Sequence, residues 1–481
     1  MAHARSFFWS FVNSIGTKGL SFVIFAAMGR LLTPTDFGVV AMAMVVCAIV
    51  DVIADLGLTE SLVQKGDRSA RLLSACLFMQ GGAAVLASLI AYGVGWVLPL
   101  GESSAGFIRV LPWMLLASVF NALSAAALAE LRLSMDFMNM AKRNFVGTLV
   151  GGVVGIWAAA GGHGAISLGW MTAANAFTGL VVALALCDFH IQPRADFGAA
   201  VRMLAFSRSI MGARLVEVIF SRLDQFFIGA AFGAHGLGVY AFAYRLYDIL
   251  LTVTVAPIGE VLLSTMSRLK DQLDEMARSY LRNIEMCAAL VSPVFLVAGV
   301  GANYWVPLAF GEHWSDAIPF VQLLLGVGAI QGPAFNNGIA MTTSGHPHYR
   351  FKLALASAAL WAVVFFPGIQ LGAPPLFAAW TTVIRWVVIV GLQFWIVCRI
   401  LGIRPKQLYL SLKKPILGMG VAIATLGLWG AALPHAPAAA NLAVMALSLF
   451  LHIAVLVGTK CESIKPIEQL FMQKLVHKLR R

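Results

Sequence analysis

The sequence predicts an all-α, polytopic membrane protein with about 14 transmembrane helices. Three observations predict it. Hydrophobic residues make up 60% of the chain and charged residues 12%, with a mean hydropathy of +0.84. No ordinary soluble domain carries that balance. Apolar runs of about 20 residues, enough to cross a hydrocarbon layer of about 30 Å, recur along the whole length. The connectors between these runs alternate between rich in Lys and Arg and free of both, the inside-positive bias of membrane proteins.

Taken in order, the runs fall near residues 8–31, 36–58, 72–98, 107–130, 141–161, 164–187 and 206–232, then 236–263, 284–310, 317–342, 352–371, 375–400, 412–432 and 439–458. The first lacks a small-residue cleavage pattern and reads as a retained helix. Basic connectors hold Lys65, Arg68 and Arg71, then Arg132, Lys142 and Arg143, then Arg194 and Arg202, then Arg268, Lys270, Arg278 and Arg282. Arg350 with Lys352, the stretch from Arg399 to Lys414, and the tail from Lys460 continue the series. Connectors 99–106, 161–164, 233–236, 311–316, 372–375 and 433–438 carry no Lys or Arg. The alternation puts both termini in the cytoplasm, with the chain in the inner membrane. It also accounts for most of the +12 net charge, so the basic balance reports topology and no nucleic-acid partner is expected.

Two further segments read as amphipathic. Residues 264–283 form an expected cytoplasmic helix between the eighth and ninth spans. In the tail, Ile467, Leu470, Phe471, Leu475 and Leu479 share one helical face, ringed by Lys474, Lys478, Arg480 and Arg481, as in a helix lying on an anionic leaflet. The alternative for that segment is a solvated tail. The six cysteines are scattered without a C-x-x-C, which gives no disulfide framework. Histidines cluster only at His346-Pro347-His348; neither a metal site nor a cofactor is expected. The sequence contains no G-x-x-x-x-G-K-[ST], so it has no P-loop for ATP.

An internal copy sets the domain organisation. Phe37 to Met44 aligns with Leu237 to Tyr244 at an offset of 200, with four of eight positions identical. At the same offset Leu58-Thr59-Glu60-Ser61-Leu62 falls on Ile258-Gly259-Glu260-Val261-Leu262. A repeat that begins after an even number of helices keeps its orientation in the membrane. It implies two six-helix bundles related by a twofold axis along the normal, with a substrate path between them. The expected division is 1–190, 191–402 and a 403–481 addition holding helices 13 and 14 and the tail.

The informative charges are those that topology leaves unexplained. Arg30 and Arg109 stand at outer helix ends and Arg208 at an inner end, where long stems snorkel. Lys18, Arg214, Arg222, Arg245 and Arg385 lie deep in apolar runs. Five such cations facing lipid would cost on the order of 12–17 kcal/mol on an insertion scale, so most must meet a wet cavity or a partner. Arg214, Glu217, Ser221, Asp224 and Gln225 share one helical face. Arg245 and Asp248 stand at i,i+3, a pairing distance, and Asp51 and Asp55 at i,i+4. Lys18 belongs to an unusually polar run with Asn13, Ser14, Thr17 and Ser21. The surplus of deep cations suits an anionic substrate. Glu217, Asp224 and Asp248 are the candidates for ion coupling, with salt-bridge partnership as the alternative. Tyr240, Tyr244 and Tyr247 offer rings for sugars or for packing.

Four segments then carry a family resemblance, in order and over roughly residues 5–345. Gly29-Arg30-Leu31-Leu32-Thr33-Pro34-Thr35-Asp36-Phe37-Gly38 resembles the AR-x-L-x-P-x-x-F-G segment of bacterial polysaccharide transporters. Asp55-Leu56-Gly57-Leu58 followed by Leu62-Val63-Gln64-Lys65 resembles their second-helix ending. Asp224 to Tyr240 (with Gly229, Gly233 and Gly238) is similar to their D-x-x-x-I-G…G…L-G-x-Y stretch, and Phe310-Gly311-Glu312-His313-Trp314 to their FG-x-x-W. The group resembled is the Wzx-type exopolysaccharide and O-antigen flippases of the multidrug/oligosaccharidyl-lipid/polysaccharide exporter superfamily. The resemblance implies two six-helix lobes in a V around a cationic cavity. It implies flipping of undecaprenyl-pyrophosphate-linked oligosaccharide repeat units by alternating access. It also implies gating or signature positions at Arg30, Pro34, Phe37, Gly38, Asp55 and Gly57, a polyprenyl-pyrophosphate-linked oligosaccharide as substrate, membrane lipids around it, and a polysaccharide polymerase as assembly partner. Substrate contacts are expected from Lys18, Arg214, Arg222, Arg245, Arg385 and Tyr244. The alternatives are a peptidoglycan-precursor flippase, a drug or cation exporter (which would want an acidic cavity), and a membrane polymerase or ligase, which would want a sizeable outer loop or paired carboxylates. No enzymatic activity is expected.

Overall fold

The computed structural model describes residues 2–97, 104–188, 190–269, 272–433, 436–459 and 461. The amphipathic tail face from Ile467 to Leu479 lies outside the described residues, as do the side chains of Asn13, Ser14 and Arg208. Every regular element described is a helix, the structure a lipid-embedded backbone adopts to satisfy its own N–H and C=O groups. The order is α1 (Ala2–Leu31), α2 (Pro34–Asp55), α3 (Leu58–Lys65), α4 (Ala70–Gly95), α5 (Ser104–Leu133), α6 (Phe137–Ala160), α7 (Ile166–Leu186), α8 (Phe197–Thr254) and α9 (Ala256–Arg268). It continues with α10 (Leu273–Leu290), α11 (Ser292–Val300), α12 (Ala302–Phe310), a 3-10 turn Glu312–Ala317, α13 (Ile318–Ala334), α14 (Asn337–Thr343), α15 (His348–Gln370), α16 (Leu376–Ile400), α17 (Pro405–Ala432) and α18 (Ala438–Gly458).

Twelve stretches among the described residues are long and apolar enough to cross a membrane, which makes this a multi-pass membrane protein. One of them, Arg214–Thr254, is 41 residues long and breaks at Gly233, with φ 68° and ψ −170°. Its two arms are the seventh and eighth predicted spans. The 30-residue α1 lies over the first predicted run and is not among the twelve.

Several boundaries differ for identifiable reasons. The second run does not continue through residue 58. Leu56 and Gly57 both take left-handed conformations, with φ 53° and 67°, and the chain restarts as the short α3. Residues 264–283 are not one helix but the end of α9 and the start of α10. Asp274 and Glu275 in the first turn of α10 favour a new start there, where the helix dipole welcomes acids. The ninth run is cut into the end of α10, then α11 and α12, with Pro293 in the first turn of α11 and Gly301 between α11 and α12. The Gly-rich run near residue 150 is a continuous helix: Gly147, Gly151 and Gly155 of α6 lie directly against Asn175 and Met171 of α7. Small residues at that spacing let membrane helices approach closely.

Chain contacts divide the molecule into two compact units, Met1–Ala241 and Phe242–Arg481. In the first, Leu58, Leu62, Leu72, Leu73, Ala126, Ala183 and Met203 form a buried cluster joining α3, α4, α5, α7 and α8. In the second, Leu262, Met276, Tyr280, Met341, Leu353 and Val397 do the same for α9, α10, α14, α15 and α16.

Candidate cationic sites

Within the first unit, α2 organises the site. Its N-terminus is fixed by a reciprocal cap: the Asp36 amide donates to Thr33 Oγ1 at 3.3 Å, and the Thr33 amide to Asp36 Oδ2 at 2.9 Å. Pro34 occupies the first turn, where its missing N–H costs nothing. Phe37 packs edge-on against Phe25 at 5.8 Å between ring centres. Gly38 then meets the second arm of α8 backbone to backbone. A Cβ placed on Gly38 would overlap the carbonyl oxygen of Ala234, and one on Gly238 would overlap that of Pro34. The contact is reciprocal, and its partners stand 200 residues apart, the offset of the internal copy. Thr33, the non-helical residue before α2, corresponds to Gly233, the non-helical residue before the second arm.

At the other end of α2 a polar cluster forms. Asp55 accepts from the Thr59 hydroxyl and, at 3.1 Å, from Gln80 Nε2. Gln80 is fully buried and also donates to the Asp55 carbonyl and to Thr59 Oγ1, each at 3.1 Å. Arg214 of α8 reaches this cluster, with Nη1 3.6 Å from Asp55 Oδ2 and Nη2 paired to Glu60 of α3. Its side chain is 46% exposed. Nearby, the hydroxyl oxygens of Ser61 and Ser207 lie 2.6 Å apart and tie α3 to α8. A Cβ on Gly57 would stand 2.9 Å from the Ser207 carbonyl oxygen, so both its left-handed φ and the space around it require glycine.

The helical face predicted on α8 is divided. Arg214, Glu217 and Ser221 are exposed, whereas Asp224 and Gln225 are buried. Asp224 accepts from the Tyr240 hydroxyl at 2.9 Å, and Arg222 Nη1 donates to Gln225 Oε1 at 3.3 Å. The Asp224–Tyr240 bond links the two arms of α8 across the Gly233 break. Lys18 is half-buried on α1 and Arg30 exposed at its end.

The second unit carries its own group. Arg245 pairs with Asp248 at 3.6 Å, both side chains about half exposed. The Tyr244 and Tyr247 rings lie 5.6 Å apart, and the Tyr247 hydroxyl donates to Gln331 Oε1. Asp248 and Arg385 are within electrostatic reach of Tyr247, and the Arg385 guanidinium sits 5.4 Å from the Trp386 ring centre. No cluster of metal-ligating residues occurs among the described residues.

The structure therefore gives Arg214 partners that the sequence reading did not select. The sequence marks Asp55 as a signature position and as an acid at i,i+4 from Asp51, Glu60 only as part of the internal copy, and Gln80 not at all. A polar residue inside the otherwise apolar stretch 72–98 was the available signal for Gln80. Arg143, read as a loop charge, lies inside α6. It donates to Gly179 O and to Ser124 Oγ, both at 3.2 Å, and so ties α5, α6 and α7 together.

A model of the polysaccharide biosynthesis protein family matches residues 27–319. The chain is 24% identical over 327 residues to the succinoglycan biosynthesis transport protein ExoT of Rhizobium meliloti, covering 66% of this chain and 65% of that protein, just under two thirds of it. It is 21% identical over 384 residues to the lipopolysaccharide biosynthesis protein WzxC of Escherichia coli, covering 76% and 74%. The fold is similar to that of the lipid II flippase MurJ in an inward closed conformation, with a TM-score of 0.70 and 9% identity over 92% of this chain and 97% of that one. At such identity the likeness is one of fold.

Proposed function

We propose that this chain, which belongs to the polysaccharide biosynthesis protein family, is a flippase for lipid-linked oligosaccharide repeat units used in exopolysaccharide or O-antigen synthesis. It is a transporter, not an enzyme. The substrate is a polyprenyl-pyrophosphate carrying a short sugar chain, taken from the cytoplasmic leaflet of the inner membrane to the outer one by alternating access. Both termini lie in the cytoplasm, and two six-helix lobes (1–190 and 191–402) move against each other. A polysaccharide polymerase receives the product.

The observation that carries this reading is a set of four arginines in apolar helical runs, each with a polar or aromatic neighbour. Arg214 has Asp55 and Glu60, Arg222 has Gln225, Arg245 has Asp248, and Arg385 has Trp386. A charge at the helix centre costs roughly 2.5–3.5 kcal/mol on an insertion scale, so groups retained at depth need a use. A diphosphate head group, with its paired anionic oxygens, matches guanidinium groups in charge and in bidentate geometry. Lys18, Arg214, Arg222, Arg245 and Arg385 attract it, and Tyr244 meets a sugar ring. Glu217, Asp224 or Asp248 couples the cycle to an ion.

The test is export. Arg214→Ala and Arg245→Ala are each expected to abolish surface polysaccharide at unchanged protein abundance, with lipid-linked repeat units accumulating on the cytoplasmic face. Normal export from both variants would rule the assignment out.

A further inference from the structure

We infer that Asp55 and Glu60 act as an internal stand-in for the substrate's pyrophosphate: they neutralise Arg214 when the transporter is empty and compete with the substrate anion for it. This rests on the flippase reading and names positioning residues for the same site.

Asp55 is anchored without Arg214. Asp55 stands at the C-terminal end of α2, where the helix dipole disfavours an anion, so its carboxylate needs donors of its own. Thr59 and the fully buried Gln80 supply them. Glu60 lies in the first turn of α3, where the dipole favours a carboxylate. Asp55 Oδ2 and Glu60 Oε2 are buried oxygens with no hydrogen-bond partner among the described residues. Asp55 is thus set in place by other groups, and both acids keep acceptor capacity beside the Arg214 guanidinium.

Arg214 is held differently. Its Nη2 pairs directly with Glu60, whereas its Nη1 stands 3.6 Å from Asp55, longer than the roughly 2.7–2.9 Å of a charge-assisted hydrogen bond, and its side chain remains 46% exposed. The guanidinium is paired yet open on its remaining edge. A group in that state can exchange one anion for another.

Transport gives the exchange a purpose. A cation that gripped pyrophosphate equally well throughout the cycle would not release it, because a ligand moves an equilibrium only through differential affinity. An empty transporter must also return with Arg214 still charged, and the buried carboxylate oxygens beside it are costly to leave without a counter-charge. The fixed carboxylates answer both needs, displacing the departing anion and then shielding Arg214 on the return.

The test separates return from binding. Wild type, Glu60→Gln and Asp55→Asn/Glu60→Gln are placed in phosphatidylethanolamine/phosphatidylglycerol proteoliposomes containing a polyprenyl-pyrophosphate with one fluorescent hexose. Net flipping is compared with exchange against unlabelled lipid on the opposite side, and inorganic pyrophosphate serves as competitor. Net flipping is expected to fall at least about fivefold, the low end of a typical coupling, while exchange persists and pyrophosphate inhibits more strongly. The single variant, which keeps Asp55, is expected to show the same split more weakly. Equal loss of flipping and exchange in the single variant, or unchanged net flipping in the double variant, overturns the inference. Failure of wild type to flip or exchange this lipid would instead sink the flippase reading itself.

Discussion

The two ends of α2 are held by opposite means. At Gly38 the helix meets Gly238 with no side chain between the backbones, and a single carbon on either glycine would overlap a carbonyl oxygen of the other segment. At Asp55 the helix meets α8 through side chains, with half-exposed Arg214 bridging two acids. A backbone contact has one geometry and no substitutes. An ion pair at a partly open surface is weak, screened by salt and exchangeable. One helix therefore has a backbone crossing of fixed geometry at one end and a half-exposed ion pair at the other.

Four substitutions test that contrast. The largest effect is expected at the crossing: Gly38→Leu should cost about 3 kcal/mol or more, read as a large fall in the unfolding midpoint of detergent-purified protein. Gly238→Leu should match it, and the double variant should cost less than the sum, because both carbons disrupt one contact. An intermediate effect is expected at Gly57→Ala, about 1–2 kcal/mol, from its φ of 67° and the nearby Ser207 carbonyl. The smallest is Glu60→Gln, under about 1 kcal/mol and smaller still in high salt, measured by the same unfolding curve. If Glu60→Gln destabilised the protein as much as Gly38→Leu, the ion pair would be a structural lock and the contrast would fail.

The two regions also differ in how far they could be read in advance. Gly38 and Gly238 were visible as matched positions of a repeat, since a repeated segment leaves a trace in one dimension. That they touch was not visible, because an offset says nothing about distance. Arg214 was legible as a charge too deep for topology to explain. Its partners were not, for a different reason. On a helix only i,i+3 and i,i+4 neighbours can be paired from spacing, which found Arg245 with Asp248 but pointed Arg214 toward its own helix. Asp224 shows the same limit: it shared the predicted face, yet it is buried against Tyr240 beyond the Gly233 break. The break in α2 at Leu56 was missed because leucine rarely adopts a left-handed conformation; only Gly57 beside it hinted at a turn.

By itself the sequence determined the class of molecule. Hydrocarbon tolerates only backbones that satisfy themselves, so long apolar runs must be helices, and the sorting of Lys and Arg orders the connectors between them. Those constraints act locally or statistically and are written in composition. Tertiary structure alone decided which deep charges meet, which glycines bring backbones together, and where helices restart. Each of these depends on groups distant in the chain arriving at one place, where a few ångströms separate a partner from a bystander.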